Sequence, residues 1–465
     1  MERYAESNSC IGGFLEAAAG LLLALALIPP LAWGQTVDEA IAFRPVAAKD
    51  RPRAQVETQF GSAAANLRLA QAAAPAADVP KPPHTPAAEP PVPAWPPGLL
   101  MEVLKPTPVG KGLDSLGLRV WGYLESGFTG RLTGGQDPLP GRLYDARWPN
   151  AMRLNQFDLT IDRPYDSTKR IDVGGRVDSY FGGDAKLTHA RGFFTNAGDD
   201  NGDAWFDMLQ AYAQAWFKTG ADSGLEVTGG KFLELAGSEV ATATGNALYS
   251  HSFLYAFAEP TTHTGGMLKY ILNPQFFVYA GGVEGWDVVK DNNSGATFIG
   301  GGGWSSTAQT SGHAKTQVLL NVIAGPEQSH NTNHNRVLAD LVINHAWTDK
   351  LSEALNFDWV TENIPGLGRE HAYGPAHYLT YVFNDYLSGT WRAEWFRDEK
   401  GARIGTPGNF FENTWGVTVT PAPQHPVLKN LIVRPEFRWD ASTKPAFGGQ
   451  HHQQLTAAFD AIFKF

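Results

Sequence analysis

The chain has 465 residues, a net charge of −10, 12% aromatic and 18% charged residues, against about 25% charged in an ordinary soluble domain. The acidic balance excludes a nucleic-acid binder working through a basic face. At most one apolar run approaches the ~20 residues of a spanning helix, which excludes a polytopic helical membrane protein; few charges, many aromatics and 50 glycines point to an all-β protein in a lipid setting.

Residues 1–34 read as a secretory signal. Gly20–Ile28 is an apolar core shorter than a membrane span, Pro29-Pro30 breaks the helix behind it, and Ala32-Trp33-Gly34 sets small residues for cleavage after Gly34. Glu2, Arg3 and Glu6 make a poorly basic start, and an N-terminal membrane anchor is the competing reading. Cys10 would leave with the signal, so the mature chain would hold no disulfide, thiolate nucleophile or cysteine metal site. Residues 35–111 follow as an Ala/Pro-rich periplasmic extension, mostly disordered. Its twelve prolines between Pro75 and Pro108 favour an extended spacer over helix or central strand.

Residues 112–465 read as an outer-membrane β-barrel, and from Leu118 to the end the period is two. In Leu455–Phe465, Leu455, Phe459, Phe463 and Phe465 alternate with Thr456, Asp460 and Lys464, which splits the strand into an apolar and a polar face. Leu431–Asp440, Gly389–Glu394, Leu355–Glu362 and Gln210–Phe217 repeat the pattern. The spacing predicts strands at 118–132, 153–163, 171–184, 204–218, 225–235, 261–272, 276–287, 296–307, 315–325, 336–347, 351–362, 372–384, 387–398, 410–421, 430–440 and 450–465. These are longer than the usual ~5–6 residues and match the ~9–11 needed to cross a bilayer at a tilt. Short links such as Asn273–Gln275 alternate with long ones such as Ala236–Pro260 and Pro326–Asn335. That asymmetry marks a transmembrane antiparallel up-and-down β-barrel of about 16 strands, with 14 open because the strand over Gly300–Gly303 is weakly patterned. Trp205, Trp286, Trp347 and Tyr373 suit interfacial girdles.

The terminal Phe465 resembles the aromatic signal read by bacterial barrel-assembly machinery. Gly230-Lys231-Phe232, Gly237-Ser238-Glu239, Asn246, Tyr249-Ser250-His251-Ser252, Pro260 and His263-Thr264-Gly265 together resemble the β-barrel porin family described as OmpL-like. The resemblance covers roughly 118–465 and implies an outer-membrane porin; the glycine run and the extension are not part of it. By analogy with porins of this size, a homotrimer in outer-membrane lipid is expected.

Opposite to the apolar parity, the lumen is expected to carry Arg119, Tyr123, Glu125, Arg131, Asp158, Arg176, Asp178, Tyr212, Gln214, Asp358, Arg392, Glu394, Arg434, Glu436, Arg438, Asp460 and Lys464. A barrel of this width holds an aqueous channel, and charge rings tune its selectivity. Ala236–Pro260 is the third long loop. By analogy with general porins it folds inward and offers Glu239, Asn246, Tyr249, His251 and Glu259 as constriction residues, cation-leaning because it lacks Lys and Arg and facing Arg392, Arg434 and Arg438.

Passive diffusion of small hydrophilic solutes or ions is the leading function. A substrate-selective porin with Trp121, Tyr123 and Tyr212 as aromatic rungs, or a non-conducting adhesive barrel, are the alternatives. Catalysis is not expected: the neighbours Ser250 and His251 point apart on an extended chain, and Gly300–Gly303 lacks a phosphate-loop lysine. No cofactor or metal is expected; His330 and His334 read as a solvated loop.

Overall fold

The computed structural model describes residues 98–133, 139–144, 150–194, 205–306, 316–448 and 450–465. The expected signal and most of the extension lie outside the described residues. Sixteen strands follow in order: β1 (Arg119–Thr133), β2 (Met152–Arg163), β3 (Ile171–Gly182), β4 (Trp205–Lys218), β5 (Gly224–Leu233), β6 (Thr262–Asn273), β7 (Phe276–Val283), β8 (Thr297–Ser305), β9 (Thr316–Gln328), β10 (Asn331–Ala346), β11 (Leu351–Ile364), β12 (Gly368–Asn384), β13 (Leu387–Asp398), β14 (Gly408–Val419), β15 (Leu431–Ser442) and β16 (Gln453–Lys464). Each pairs antiparallel with its chain neighbours, and β1 pairs with β16, closing the barrel. The ladder runs to the last residue: Phe465 N–H donates to Gly122 O at 2.9 Å, and Gly122 N–H donates to Phe465 O at 3.0 Å.

The period of two becomes two environments. On β6, Leu268, Tyr270 and Leu272 are exposed on the outer face, while Met267, Lys269 and Ile271 are buried on the inner one. Among the register shifts that interrupt this alternation, those on β2 and β4 bear on the inner face. Glu125 pairs with Gln156 and Ser126 with Leu154, so Asn155 is the extra residue of β2; both Asn155 and Gln156 are buried. Asp178 pairs with Gln210 and Ser179 with Met208, which leaves Leu209 as the extra residue of β4. A bulge re-aims one side chain, and here it sends consecutive residues to the same side.

Three expectations need correction. Extended chain was expected up to Lys111, but Leu99–Leu104 (α1) and Pro108–Leu116 (α2) are helical. Pro108 fits because it occupies the first turn of α2, where its missing N–H has no partner to lose; Thr107 caps that turn through Gly110 N–H at 3.1 Å, and Gly117 ends it at φ +66°. The long loop expected over Pro326–Asn335 is a tight turn at Ser329-His330, because polar strand ends continue the ladder there. His334 therefore lies on β10. Trp286 does not join a girdle: β7 ends at Val283, and the indole is buried with the Arg336 guanidinium 4.7 Å from its ring.

The inner face is not uniformly polar. Ile271, Phe277, Ile299, Leu319, Ile323, Leu338 and Val342, from β6 to β10, form one buried apolar cluster with Phe253 and Leu254 from the connection between β5 and β6. Both faces of these strands are apolar, so parity alone does not tell them apart. Leu268→Arg on the outer face of β6 should cost about 2–4 kcal/mol at mid-membrane depth. Urea titration of the barrel in lipid vesicles checks this; an unchanged midpoint would place Leu268 off the lipid face.

Candidate functional site

Residues 234–261, between β5 and β6, lie against the inner wall and hydrogen-bond to it on several sides. They include a short helix, α4 (Phe253–Phe257); another short helix, α3 (Ala185–Thr188), follows β3. Gln156 Nε2 and Tyr180 Oη donate to Ala241 O at 3.1 and 3.0 Å. Across the barrel, the Ser238 N–H donates to Asn356 Oδ1 at 2.6 Å. On β13, Glu394 accepts from the N–H groups of Phe253 and Leu254 at 2.6 and 2.7 Å. On β15, Glu436 accepts from those of Tyr249 and Ser250 at 2.9 and 3.1 Å. Irregular backbone inside a membrane barrel leaves N–H and C=O groups without a ladder, and these wall carboxylates satisfy them.

The five candidate constriction residues separate by role. Glu239 is buried and sits 2.6 Å from Arg392 Nη1; it also accepts from Tyr378 Oη at 3.1 Å and Ser252 N–H at 2.8 Å. Burial alone would raise its carboxyl, but the Arg392 guanidinium and these donors outweigh that and hold it below the usual carboxylate range. Asn246 closes the segment on itself, donating to Val240 O at 2.6 Å and accepting from the Val240 N–H at 2.9 Å. Tyr249 Oη accepts from Asn155 Nδ2 at 3.0 Å. Its ring reaches that place because residue 127 is glycine: a Cβ there would lie 2.5 Å from the phenol oxygen. The His251 ring packs against Tyr144 and Tyr255, each 4.5 Å away and tilted by 34°. Glu259 stands apart from these, beside Asp340 and Asp358. Burial, then the neighbouring Glu234, pushes its carboxyl well above the usual range.

The lining candidates form three groups. Arg392, Arg434 and Arg438 meet the segment. Arg392 Nε donates to Glu412 at 3.0 Å and Nη1 to Ser250 O at 2.6 Å. Arg434 pairs with Asp460 and donates to Ala243 O and Asn246 O at 2.9 and 2.6 Å. Arg438 pairs with Asp440 at 2.8 Å and donates to His251 O. A second group fixes the adjoining wall of β1 and β2: Tyr123 Oη donates to Gln156 at 2.7 Å, Glu125 accepts from Asn155 at 2.9 Å, and Asp158 accepts from Thr160 at 3.0 Å. A third is half-open. Arg176 pairs with Asp178 at 2.7 Å with its guanidinium 5.0 Å from the Trp121 ring, and Gln214 donates to Glu226 at 3.0 Å. Arg119, Tyr212 and Lys464 are partly exposed. Arg131 lies near the far end of β1, away from these groups in sequence and partly exposed.

Several participants were not singled out from the sequence. Asn155 and Gln156 were hidden by the bulge. Arg142, in the described piece 139–144, donates to Asp440 at 2.9 Å and Thr456 at 3.0 Å, and loop residues carry no parity to read. Asp340 and Asn356 do carry the inward parity, and a search for polar residues at that parity would have found them.

A family model described as "Putative beta-barrel porin-2, OmpL-like" matches residues 117–465. Among solved structures the chain is similar to OprB of Pseudomonas putida, at 14% identity over 78% of this chain and 97% of that one, TM-score 0.51. It is also similar to the outer membrane channel DcaP of Acinetobacter baumannii, at 11% identity over 75% and 97%, TM-score 0.47. OmpT of Vibrio cholerae, in a trimer form, matches at 11% identity over 75% and 99%, TM-score 0.48. No protein of curated function matches.

Arg392→Met would leave Glu239 and Glu412 buried without their shared cation, a loss of about 3–5 kcal/mol for a pair of this kind. The folded variant should be cleaved by protease within 236–260 where the parent is protected. Because the Glu239 carboxyl is depressed in the folded chain, its hold on the segment is complete above the ordinary carboxylate value of ~4.3 and is lost as pH falls through the lower folded value. Segment cleavage by an acid-active protease should therefore rise below about pH 4 in the parent and be independent of pH over that range in Glu239→Gln.

Proposed function

The chain belongs to the OmpL-like family of β-barrel porins, an outer-membrane group, and we propose that it is a narrow channel passing small hydrophilic solutes or ions, with residues 234–261 setting the constriction. The observation that carries this reading is the Arg392–Glu239 pair, which ties the middle of the connection to the inner wall. The buried charges around it answer one another: Arg392 faces Glu239 and Glu412, Arg434 faces Asp460, and Arg438 faces Asp440. A constriction built from such pairs orients polar solutes by local dipoles while its net charge stays small.

A second reading, a substrate-selective channel, draws on the half-open group. A partly exposed guanidinium over an indole, as Arg176 over Trp121, offers a cationic, aromatic surface for a planar or anionic solute. Saturable uptake, or a solute that blocks current at low concentration, separates it from passive diffusion.

The refolded mature chain in a planar bilayer, with and without residues 35–111, should give discrete ohmic steps. A folded, heat-modifiable barrel that gives none would overturn the channel reading and favour a structural barrel. Glu239→Gln leaves one less carboxylate beside Arg392, so the reversal potential in a salt gradient should move toward anions; an unchanged potential would remove Glu239 from the ion path.

A further inference from the structure

We propose that Glu259, Asp340 and Asp358 bind a calcium ion that clamps the end of the 234–261 segment to the barrel wall. Carboxylate oxygens of the three residues lie within 4.8 Å of one another. Asp340 and Asp358 sit directly opposite on β10 and β11; Glu259 comes from the segment just before β6. All three are buried, Asp358 completely.

A second observation points to a cation as the partner of these oxygens. Glu259 Oε2 and Asp358 Oδ2 are buried and accept no hydrogen bond among the described residues, and the same holds for Oε2 of the neighbouring Glu234, which is 2% exposed. Among the described residues no ion pair reaches any of these four carboxylates. The contrast with β13 and β15 is sharp, since each buried arginine there has a carboxylate. Uncompensated buried charge is strongly unfavourable, so this group calls for a cation from outside the chain.

The surroundings orient the oxygens as outer partners of a metal site do. Asn356 Nδ2 donates to Asp340 Oδ1 at 3.0 Å and to Asp358 Oδ1 at 3.1 Å, and Asn321 Nδ2 donates to Asp340 Oδ2 at 2.6 Å. These bonds leave Asp358 Oδ2 directed away from the amides. Gly237 completes the enclosure. Its φ is +79°, and a Cβ there would lie 2.0 Å from Glu259 Oε2, so the carboxylate packs against bare backbone. Every donor is oxygen, which selects a hard cation over zinc or copper. Magnesium sheds its water reluctantly, whereas calcium accepts irregular carboxylate sets with few waters; an enclosed site at a backbone turn suits calcium.

The mature chain, refolded in detergent and stripped with EGTA, should bind one Ca2+ per chain in isothermal titration, and more tightly than Mg2+. Glu259→Gln with Asp358→Asn should weaken that binding by at least about 100-fold, beyond the ~10–100-fold cost of changes outside the direct ligands. Asp222→Asn, on an exposed turn, should leave it unchanged. Heat modifiability of the band confirms that each variant is folded, and the amides remove repulsion, so folding is retained. Calcium should also protect residues 234–261 from protease in the parent and not in the double variant. No stoichiometric binding to the parent, or equal affinity in the double variant, would overturn the site; carboxylates sharing protons would give the first result. Binding is read without a membrane, so its failure leaves the channel reading intact.

Discussion

Every backbone N–H and C=O that crosses hydrocarbon must find a partner within the protein, because no water is there to supply one. A flat sheet fails this at its two edges. The chain meets the requirement by pairing β1 with β16 down to the reciprocal bonds of Gly122 and Phe465. The terminal residue is thus part of the closing ladder as well as the end of an alternating strand. Once the edges are gone the outer face need only be apolar, which fits the exposed Leu268, Val278, Phe298 and Leu320. The chemistry of the protein is pushed to the inside.

Inside, the same accounting of polar groups decides the architecture a second time. The 234–261 connection is irregular for most of its length, so its backbone groups lack ladder partners. Wall side chains replace them: Glu394 and Glu436 accept from successive N–H groups, and Arg392 and Arg434 donate to carbonyl oxygens. Arg392 and Arg434 are in turn paired with Glu239, Glu412 and Asp460. The polar wall is consequently a complement to one particular segment. The apolar inner cluster of β6 to β10 does the same for Phe253 and Leu254 by excluding water from them.

The acidic group around Asp340 and Asp358 departs from this matching, and the departure gives it meaning. Where the arginines of β13 and β15 close their charges within the chain, β10, β11 and the connection before β6 leave buried carboxylate oxygens close together. A clamp there and the ion pair at Glu239 would hold the segment at two separated points, one sensitive to divalent cations and the other to acid. Two fixed points restrain rotation of an irregular connection better than one, which matters where a shift of a few ångströms changes the width of an aqueous path.

The amino-acid sequence by itself determined the class and the lipid-facing parity and narrowed the strand count to 16 or 14, because a period of two and the alternation of short and long links are local properties that survive without coordinates; the closed ladder decided for 16. It also marked the arginines and acids of β13 and β15 as inward, since Arg392, Glu394, Arg434, Glu436 and Arg438 share one parity. Only the tertiary structure decided which of them meet: Glu239 and Arg392 are 153 positions apart, and no local pattern encodes that distance. The bulge at Asn155 hid Asn155, which donates to Tyr249, and Gln156, which donates to Ala241 O, because it breaks the alternation on which the reading rests. The helix at Pro108 escaped because proline density describes the average of a stretch, while a helix start depends on one capping threonine. The convergence of Glu259 with Asp340 and Asp358 was equally invisible, since it needs the closed barrel to bring one connection against two strands that follow it in the chain.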